Sequence, residues 1–249
     1  MYKVKVGYRE VDIFSNTEIA KDIFELKVQI ESNDSMGDPG QFYMLRSWDL
    51  DPLLSRPFSI CNVEESVLTF LYKVVGRGTN YLSKLKPKDK LKVLGPLGNG
   101  FNLNVSGKVA LISGGIGIAP MIYLAKKLNT GIDFYAGFTN EVYYMDYVRK
   151  YVAKIYITTE DGSTGQKGFI TDIFRPEKYD VVFTCGPSPM MKKVVENCEN
   201  KSSVFVSMES VMACGMGVCL GCSIKTKSGM KRVCKEGPVF KGEEVFFDD

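Results

Sequence analysis

Cys214, Cys219, Cys222 and Cys234 are spaced C-x4-C-x2-C-x11-C near one end of a chain of 249 residues that has seven cysteines and no histidine. This spacing limits what the segment can fold into. The stretch is glycine-rich and looks like a small module organised by a ligand. The first three cysteines match the plant-type [2Fe–2S] spacing, and the fourth supplies the remaining thiolate. Gly215, Gly217 and Gly221 are expected to take φ > 0 and to let backbone N–H groups approach the sulfurs, which tunes a cluster's potential. An all-cysteine zinc site and a set of unligated buried thiols are the alternatives. Zinc knuckles usually read C-x2-4-C twice, whereas here eleven residues separate the last pair.

The missing histidine excludes a Ser-His-Asp triad, a His-ligated zinc, a Rieske centre and a haem held by histidine. Net charge is only +3, too weak to argue for nucleic acid. The opening MYKVKVGYREVDIF lacks an apolar signal core, so a cytoplasmic protein is expected. The longest uncharged stretch, 109–125, is broken by glycines and a proline. It reads as a buried strand, turn and helix, with no membrane span expected. In a reducing compartment clustered cysteines point to metal or redox chemistry. Cys61 and Cys198 read as small buried thiols.

Up to about residue 100 the chain reads as short strands. Residues 2–6 and 24–30 alternate, and 67–75 are β-branched and aromatic. Turn signals at 33–34, 37–40 and 86–89 separate them, which suggests an antiparallel barrel. Residues 95–100 are expected to stop regular structure. From 108 the texture changes. Strands at 109–113, 132–136, 154–158, 181–184 and 203–207 alternate with helices at 120–128, 142–148, 169–174 and 189–197. That order implies a parallel α/β sheet. The expectation is a β plus α/β chain: a barrel over 1–103, an α/β domain over 104–206 and a small cysteine module over 207–249.

Arg56-Pro57-Phe58-Ser59-Ile60 ends a predicted barrel strand. Arg56 can clamp a pyrophosphate bidentately, Phe58 can lie against a flat ring, and Ser59 can hydrogen-bond a ring nitrogen. Alone, this pentapeptide reads first as a strand end with an exposed arginine. Leu71, Tyr72 and Lys73 follow, then Gly78 and Thr79 open a predicted short helix at 79–85, a ready phosphate site. Ser113-Gly114-Gly115-Ile116-Gly117 lies between a strand and a helix, where glycines admit either a phosphate or a closely packed turn. Cys185, Gly186 and Pro187 end a later strand, where ligands bind in open α/β sheets. No arginine follows the strand at 132–136, and Glu141 there would repel a 2′-phosphate, which leans towards NAD over NADP. The loop 159–163 reads as a surface turn.

Taken together, these parts resemble the ferredoxin–NADP reductase superfamily. Over the full chain they resemble its branch of electron-transfer subunits of NAD-dependent, two-subunit dihydroorotate dehydrogenase. RPFSI, LYKVVGRGT, SGGIGIAP, TEDGSTGQKGFITD, CGPSPMM and ESVMACGMGVCLGCSIKT…RVC carry the likeness. The resemblance implies FAD on the barrel at Arg56, Pro57, Phe58, Ser59, Leu71, Tyr72, Lys73, Gly78 and Thr79. It implies NAD at Gly114, Gly115, Gly117, Cys185, Gly186 and Pro187, with Cys185 shaping the nicotinamide pocket. It implies a [2Fe–2S] cluster on the four module cysteines. Phe58 stands where many reductases carry tyrosine, so the hydroxyl contact is lost.

The implied partner is an FMN-containing TIM-barrel subunit that oxidises dihydroorotate, in a heterotetramer of two of each. Electrons would run FMN to cluster to FAD to NAD⁺, in pyrimidine (UMP) biosynthesis. No residue of this chain is expected to act on the organic substrate. The alternatives are the small subunit of an NADH-dependent ferredoxin–NADP or sulfide-type reductase, and a zinc-binding scaffold without enzymatic activity.

Overall fold

The computed structural model describes residues 7–30 and 36–247. The strand expected at 2–6 and the turn at 33–34 lie outside them. Six antiparallel strands close a barrel in the order β1-β2-β5-β4-β3-β6. They are β1 (Gly7–Ala20), β2 (Ile23–Gln29), β3 (Phe42–Arg46), β4 (Arg56–Glu64), β5 (Val67–Lys73) and β6 (Lys90–Leu97). The short helix α1 (Arg77–Leu82) lies between β5 and β6. The β1 strand does not stand out in the sequence because only Val11 and Ile13 along it are buried. Most other positions are polar or exposed, with Ile19 and Ala20 half-buried against the core. β6 runs through Gly95-Pro96-Leu97, so the break expected at 95–100 begins only at Gly98, which takes φ 74.

The second layer is a sheet ordered β10-β9-β8-β7-β11-β12-β15. Along the chain come β7 (Val109–Gly114), α2 (Ile118–Lys127), β8 (Ile132–Phe138), α3 (Met145–Val148), β9 (Lys154–Thr159), β10 (Gln166–Lys167), α4 (Ile170–Ile173), β11 (Val181–Cys185), α5 (Ser188–Asn197) and β12 (Val204–Ser207). Every residue of β7 is buried, as a strand covered on both faces requires. The helices expected at 142–148 and 169–174 shrink to single turns. At the first, Tyr144 takes φ 66 and interrupts the run.

The cysteine segment contributes a hairpin, β13 (Ser223–Thr226) with β14 (Gly229–Arg232), and then β15 (Val239–Lys241). β15 pairs antiparallel with β12, so the sheet is mixed where a purely parallel one was expected. A three-residue antiparallel strand covers the open edge that β12 would otherwise present.

Barrel and sheet share apolar packing. Cys61 and Leu71 from the barrel pack with Ile118 and Ile122 of α2 in one core cluster, and Cys61 is completely buried. Polar ties cross the same seam. Lys126 Nζ meets Asn62 Oδ1 at 2.8 Å and Glu64 Oε1 at 3.0 Å, and the Tyr147 hydroxyl donates to the same Glu64 oxygen at 3.0 Å. Among the described residues no helix is long and apolar enough to cross a membrane.

Candidate functional site

A cleft of about 880 Å³ opens where β4, β5 and α1 meet the segment 208–212. Arg56, Pro57, Phe58, Ser59, Leu71, Tyr72, Lys73 and Thr79 all line it. The Arg56 guanidinium lies over the Trp48 ring, 5.4 Å from its centroid, and donates to the Leu54 carbonyl. It also lies close to Gly78, where a Cβ would come within 2.9 Å of Arg56 Nε and 2.8 Å of Trp48 Cη2. The missing side chain therefore lets a guanidinium and a helix start share one corner, a donor set suited to a pyrophosphate.

The helix begins at Arg77, two residues earlier than expected. The Thr79 hydroxyl reaches back to accept the Val75 and Gly76 amides, at 3.0 and 3.1 Å, and donates to the Gly76 carbonyl at 3.0 Å. Thr79 thus shapes the turn, and its hydroxyl is already committed. Phe58 rests against Tyr72, with ring centroids 5.5 Å apart. Tyr72 is buried and its hydroxyl donates to Asn16 Oδ1 at 3.1 Å. Burial pushes that phenol well above its ordinary pKa, with the Asn16 contact working against it.

A second cleft, about 720 Å³, lies at the C-terminal ends of β7, β8, β9 and β11. Gly114, Gly115, Gly117, Gly186 and Pro187 line it. The glycines divide by role. A Cβ on Gly117 would lie 2.4 Å from the Cys185 carbonyl, and one on Gly186 would lie 2.9 Å from the Gly114 nitrogen. These two are closely packed against backbone. Gly115, at φ 51, has open space where its Cβ would be, room in which a phosphate could approach its backbone. Cys185 is buried behind this wall. Burial first, and then the charge of Glu209, raise its thiol far above the ordinary value, while Ser207 opposes them. It supports the wall and offers no thiolate.

Glu160, Phe169 and Glu209 are among the lining residues to which the sequence reading gave no role in this cleft. Glu160 follows β9, its amide held by the Phe138 and Thr139 carbonyls at 3.1 and 3.2 Å. The loop expected to be a plain surface turn therefore lines the cleft. Glu141, expected to repel a 2′-phosphate, instead accepts the Lys21 amide at 2.7 Å and lines neither cleft. The acidic charge at the strand ends belongs to Glu160. The signal available for it was its place just past the end of a strand.

In the cysteine loop Cys214 interacts with Cys219, and Cys234 interacts with Cys222 and Cys214. Among the described residues no group of three or more metal-binding side chains closes on a single metal position. Four thiols in one loop would suit a [2Fe–2S] centre. Backbone amides point at the sulfurs. Met216 and Val218 donate to Cys214 Sγ at 3.4 Å, Cys219 does so at 3.5 Å, and Gly217 donates to Cys234 Sγ at 3.1 Å. Burial works to raise the Cys214 thiol, but the amides of Cys219, Met216 and Val218 outweigh it and hold the pKa at about 6. The donor set fits a sulfur-ligated anionic cluster. Gly215 and Gly217 take φ 69 and 81. Gly221 does not, contrary to expectation, and Leu220 takes the left-handed position at φ 60.

Both clefts are lined by Lys73, Ile116 and Glu209, so they open onto each other there. The carboxyl of Glu209 is exposed to this shared space yet surrounded by protein, and desolvation raises its pKa. Three residues on, Met212 lines the barrel cleft, and two further on is Cys214. A single stretch, 209–214, therefore touches both clefts and the thiol loop. The loop is also seated on the barrel, because a Cβ on Gly215 would come within 2.7 Å of the Met44 side chain.

Residues 209–246 match the iron-sulfur cluster binding domain of dihydroorotate dehydrogenase B. The chain is 51% identical over 249 residues to a protein of Clostridium acetobutylicum named dihydroorotate dehydrogenase B (NAD(+)), electron transfer subunit, covering 99% of this chain and 100% of that one. The Clostridium perfringens protein of the same name is 46% identical, covering 96% and 98%. Among solved structures, a chain of an NADH-dependent reduced ferredoxin–NADP oxidoreductase superposes with a TM-score of 0.87 at 30% identity, covering 96% of this chain and 90% of that one. A ferredoxin NADP⁺ reductase from Neisseria gonorrhoeae with bound FAD and NADP shares the fold, at a TM-score of 0.60 and 14% identity, covering 78% and 91%.

Proposed function

The chain belongs to the family of electron-transfer subunits of NAD-dependent dihydroorotate dehydrogenase B, and from that premise we propose that it joins FAD, NAD and a [2Fe–2S] cluster in one relay. When bound, a nicotinamide supplies or takes a hydride, a flavin exchanges electrons in pairs or singly, and the cluster carries one at a time. The observation that carries the reading is the segment 209–214, which borders both clefts and reaches the first cluster thiol.

In this reading Arg56 and the start of α1 hold the flavin pyrophosphate, and Pro57, Phe58, Ser59 and Leu71 wall the ring site. Lys73 and Glu209 mark where nicotinamide and flavin face each other. Gly115 admits the dinucleotide phosphate, while Gly114, Gly117, Cys185, Gly186 and Pro187 shape that wall. Cys214, Cys219, Cys222 and Cys234 ligate the cluster. The division into an FAD barrel at 1–103, an NAD domain at 104–206 and a cluster module at 207–249 belongs to the same proposal. The partner is an FMN-containing TIM-barrel catalytic subunit, two copies of each making the assembly.

The likeness to the NADH-dependent ferredoxin–NADP oxidoreductase chain fits a shared set of modules. Identity of 51% over essentially the whole chain favours the dihydroorotate system. Iron, acid-labile sulfide and flavin analysis of the purified chain, with its visible spectrum, tests the reading. About two irons, two sulfides and one FAD per chain are expected. A colourless protein holding one zinc would exclude it.

A further inference from the structure

Arg232 ends β14, two residues before the fourth cysteine. Its guanidinium Nη1 donates to the Gly217 carbonyl at 2.6 Å. Its Nε donates to Glu236 Oε2 at 3.0 Å, and Nη2 meets Glu236 Oε1. The same Glu236 carboxylate accepts the Arg232 backbone amide at 2.7 Å. The Arg232 carbonyl in turn accepts the amides of Lys235, Glu236 and Gly237 at 3.1, 2.9 and 3.3 Å. Both the backbone and the side chain of Arg232 are thus fixed, and neither partner of the ion pair is more than a third exposed. The barrel braces the turn from outside, because Asn99 Nδ2 donates to the Lys235 and Glu236 carbonyls at 3.0 and 3.1 Å.

The residue that Arg232 grips has its own contact with a cluster thiol. Gly217 N–H donates to Cys234 Sγ at 3.1 Å, the shortest of the amide contacts to the four thiols. Gly217 takes φ 81, and a Cβ there would lie 2.9 Å from the Lys235 side chain, so the position accepts only glycine. A carbonyl pinned by a charged fork limits the rotation of residue 217 that would swing its amide off the sulfur.

We propose that Arg232 is a positioning residue for the cluster: braced by Glu236, it fixes Gly217 so that the Gly217 amide stays on the Cys234 sulfur, and so keeps the cluster's reduction potential raised. The inference rests on the iron–sulfur reading above. The couple is one electron added to the oxidised cluster, with no bond to the protein made or broken. Reduction adds negative charge to the sulfurs, so an N–H donor stabilises the reduced form more. Lysine cannot substitute, because a point charge cannot hold the Glu236 carboxylate and the Gly217 carbonyl in one planar fork.

The test is a redox titration of the full chain as purified, followed by EPR, on wild type, Arg232→Met, Arg232→Lys and Glu236→Gln, with iron and sulfide counted in each. Arg232→Met is expected to keep its cluster and to lower the equilibrium constant for reduction about tenfold, ~59 mV for one electron. Arg232→Lys is expected to stay close to Met, and Glu236→Gln to shift less in the same direction. Should Arg232→Met lose its iron, Glu236→Gln decides the question. An intact cluster with an unshifted potential in Glu236→Gln and in every cluster-bearing Arg232 variant overturns the inference alone. A wild-type chain without iron and sulfide overturns the functional reading as well.

Discussion

Gly78 gives Arg56 its place: the glycine has no Cβ, and the guanidinium occupies the space one would need, with Nε 2.9 Å from that position. Gly78→Ala should push Arg56 and Trp48 apart. The local cost is about 1–3 kcal/mol of overpacking, partly offset by the better helix propensity of alanine. The chain should stay folded and lose flavin. The FAD-to-protein ratio after desalting checks this, with Arg56→Lys, which cannot form a bidentate clamp, expected to fall in parallel. Full flavin retention in both would remove Arg56 from the pyrophosphate.

Glu64 joins the barrel to α2 and should leave a trace in the acid stability. The Lys126 ammonium, then Asn62, hold its carboxyl down at about 2, from an ordinary 4.5. A carboxylate depressed on folding adds stability that is complete above the unfolded value and is lost as pH falls through the folded one. Glu64→Gln should therefore be less stable than wild type at pH 6, with the gap narrowing from about 4.5 down to about 2. The side chain is 59% exposed, so the gap should not exceed ~1 kcal/mol. Urea unfolding of both proteins at pH 6 and pH 3 measures it. A gap that widens at pH 3 contradicts the assignment.

Glu160 should set the preference for NADH over NADPH. Its charge lies at a strand end on the nucleotide cleft, where an acid accepts a ribose hydroxyl and repels a 2′-phosphate. Lys193 also lines the cleft, but it is paired with Asp172 at 2.7 Å. Glu160→Gln should lower KM for NADPH on the order of tenfold, the effect of removing one like-charge contact, and change NADH kinetics little. An unchanged ratio of the two kcat/KM values would place the 2′-hydroxyl elsewhere.

What was legible in the sequence was what is local. The four cysteines, the RPFSI run and the glycine turn at 113–117 each carry their chemistry locally, and the structure sets the last two on cleft walls, although RPFSI opens β4 where it was expected to end a strand. What was not legible depends on the order of strands in the sheet. Glu160 and Glu209 are 49 positions apart and share a cleft only because β9 and β12 both end on its side. Glu141 misled for the same reason: it follows β8 in sequence, yet its carboxylate turns away to the Lys21 amide. β15 was hidden because a three-residue strand has no pattern of its own.

The isolated chain should oxidise NADH with an artificial one-electron acceptor and should not turn over dihydroorotate. Both clefts and the thiol loop lie within it. It has no histidine, and the Cys185 thiol behind the nucleotide cleft is held protonated by burial. On the proposed function, substrate acid–base chemistry would fall to a partner subunit. Ferricyanide reduction by NADH, and orotate formation assayed without the partner, test the two halves. Orotate produced by this chain alone refutes the division of labour.

Cys219→Ser should separate the two ends of the relay. Cys219 is the exposed member of its thiol pair, and a serine oxygen is a poor replacement for a soft thiolate on iron. The barrel cleft takes no residue from 214–234, although 208–212 and Pro238 on either side of that stretch help line it. The variant should therefore lose iron and sulfide, keep its FAD and its NADH–ferricyanide activity, and lose electron exchange with the partner subunit. Cofactor analysis and both activities, measured on one preparation, decide it. A folded variant that loses FAD along with iron would show that the cluster loop holds up the flavin cleft, and the two sites could not be treated as separate.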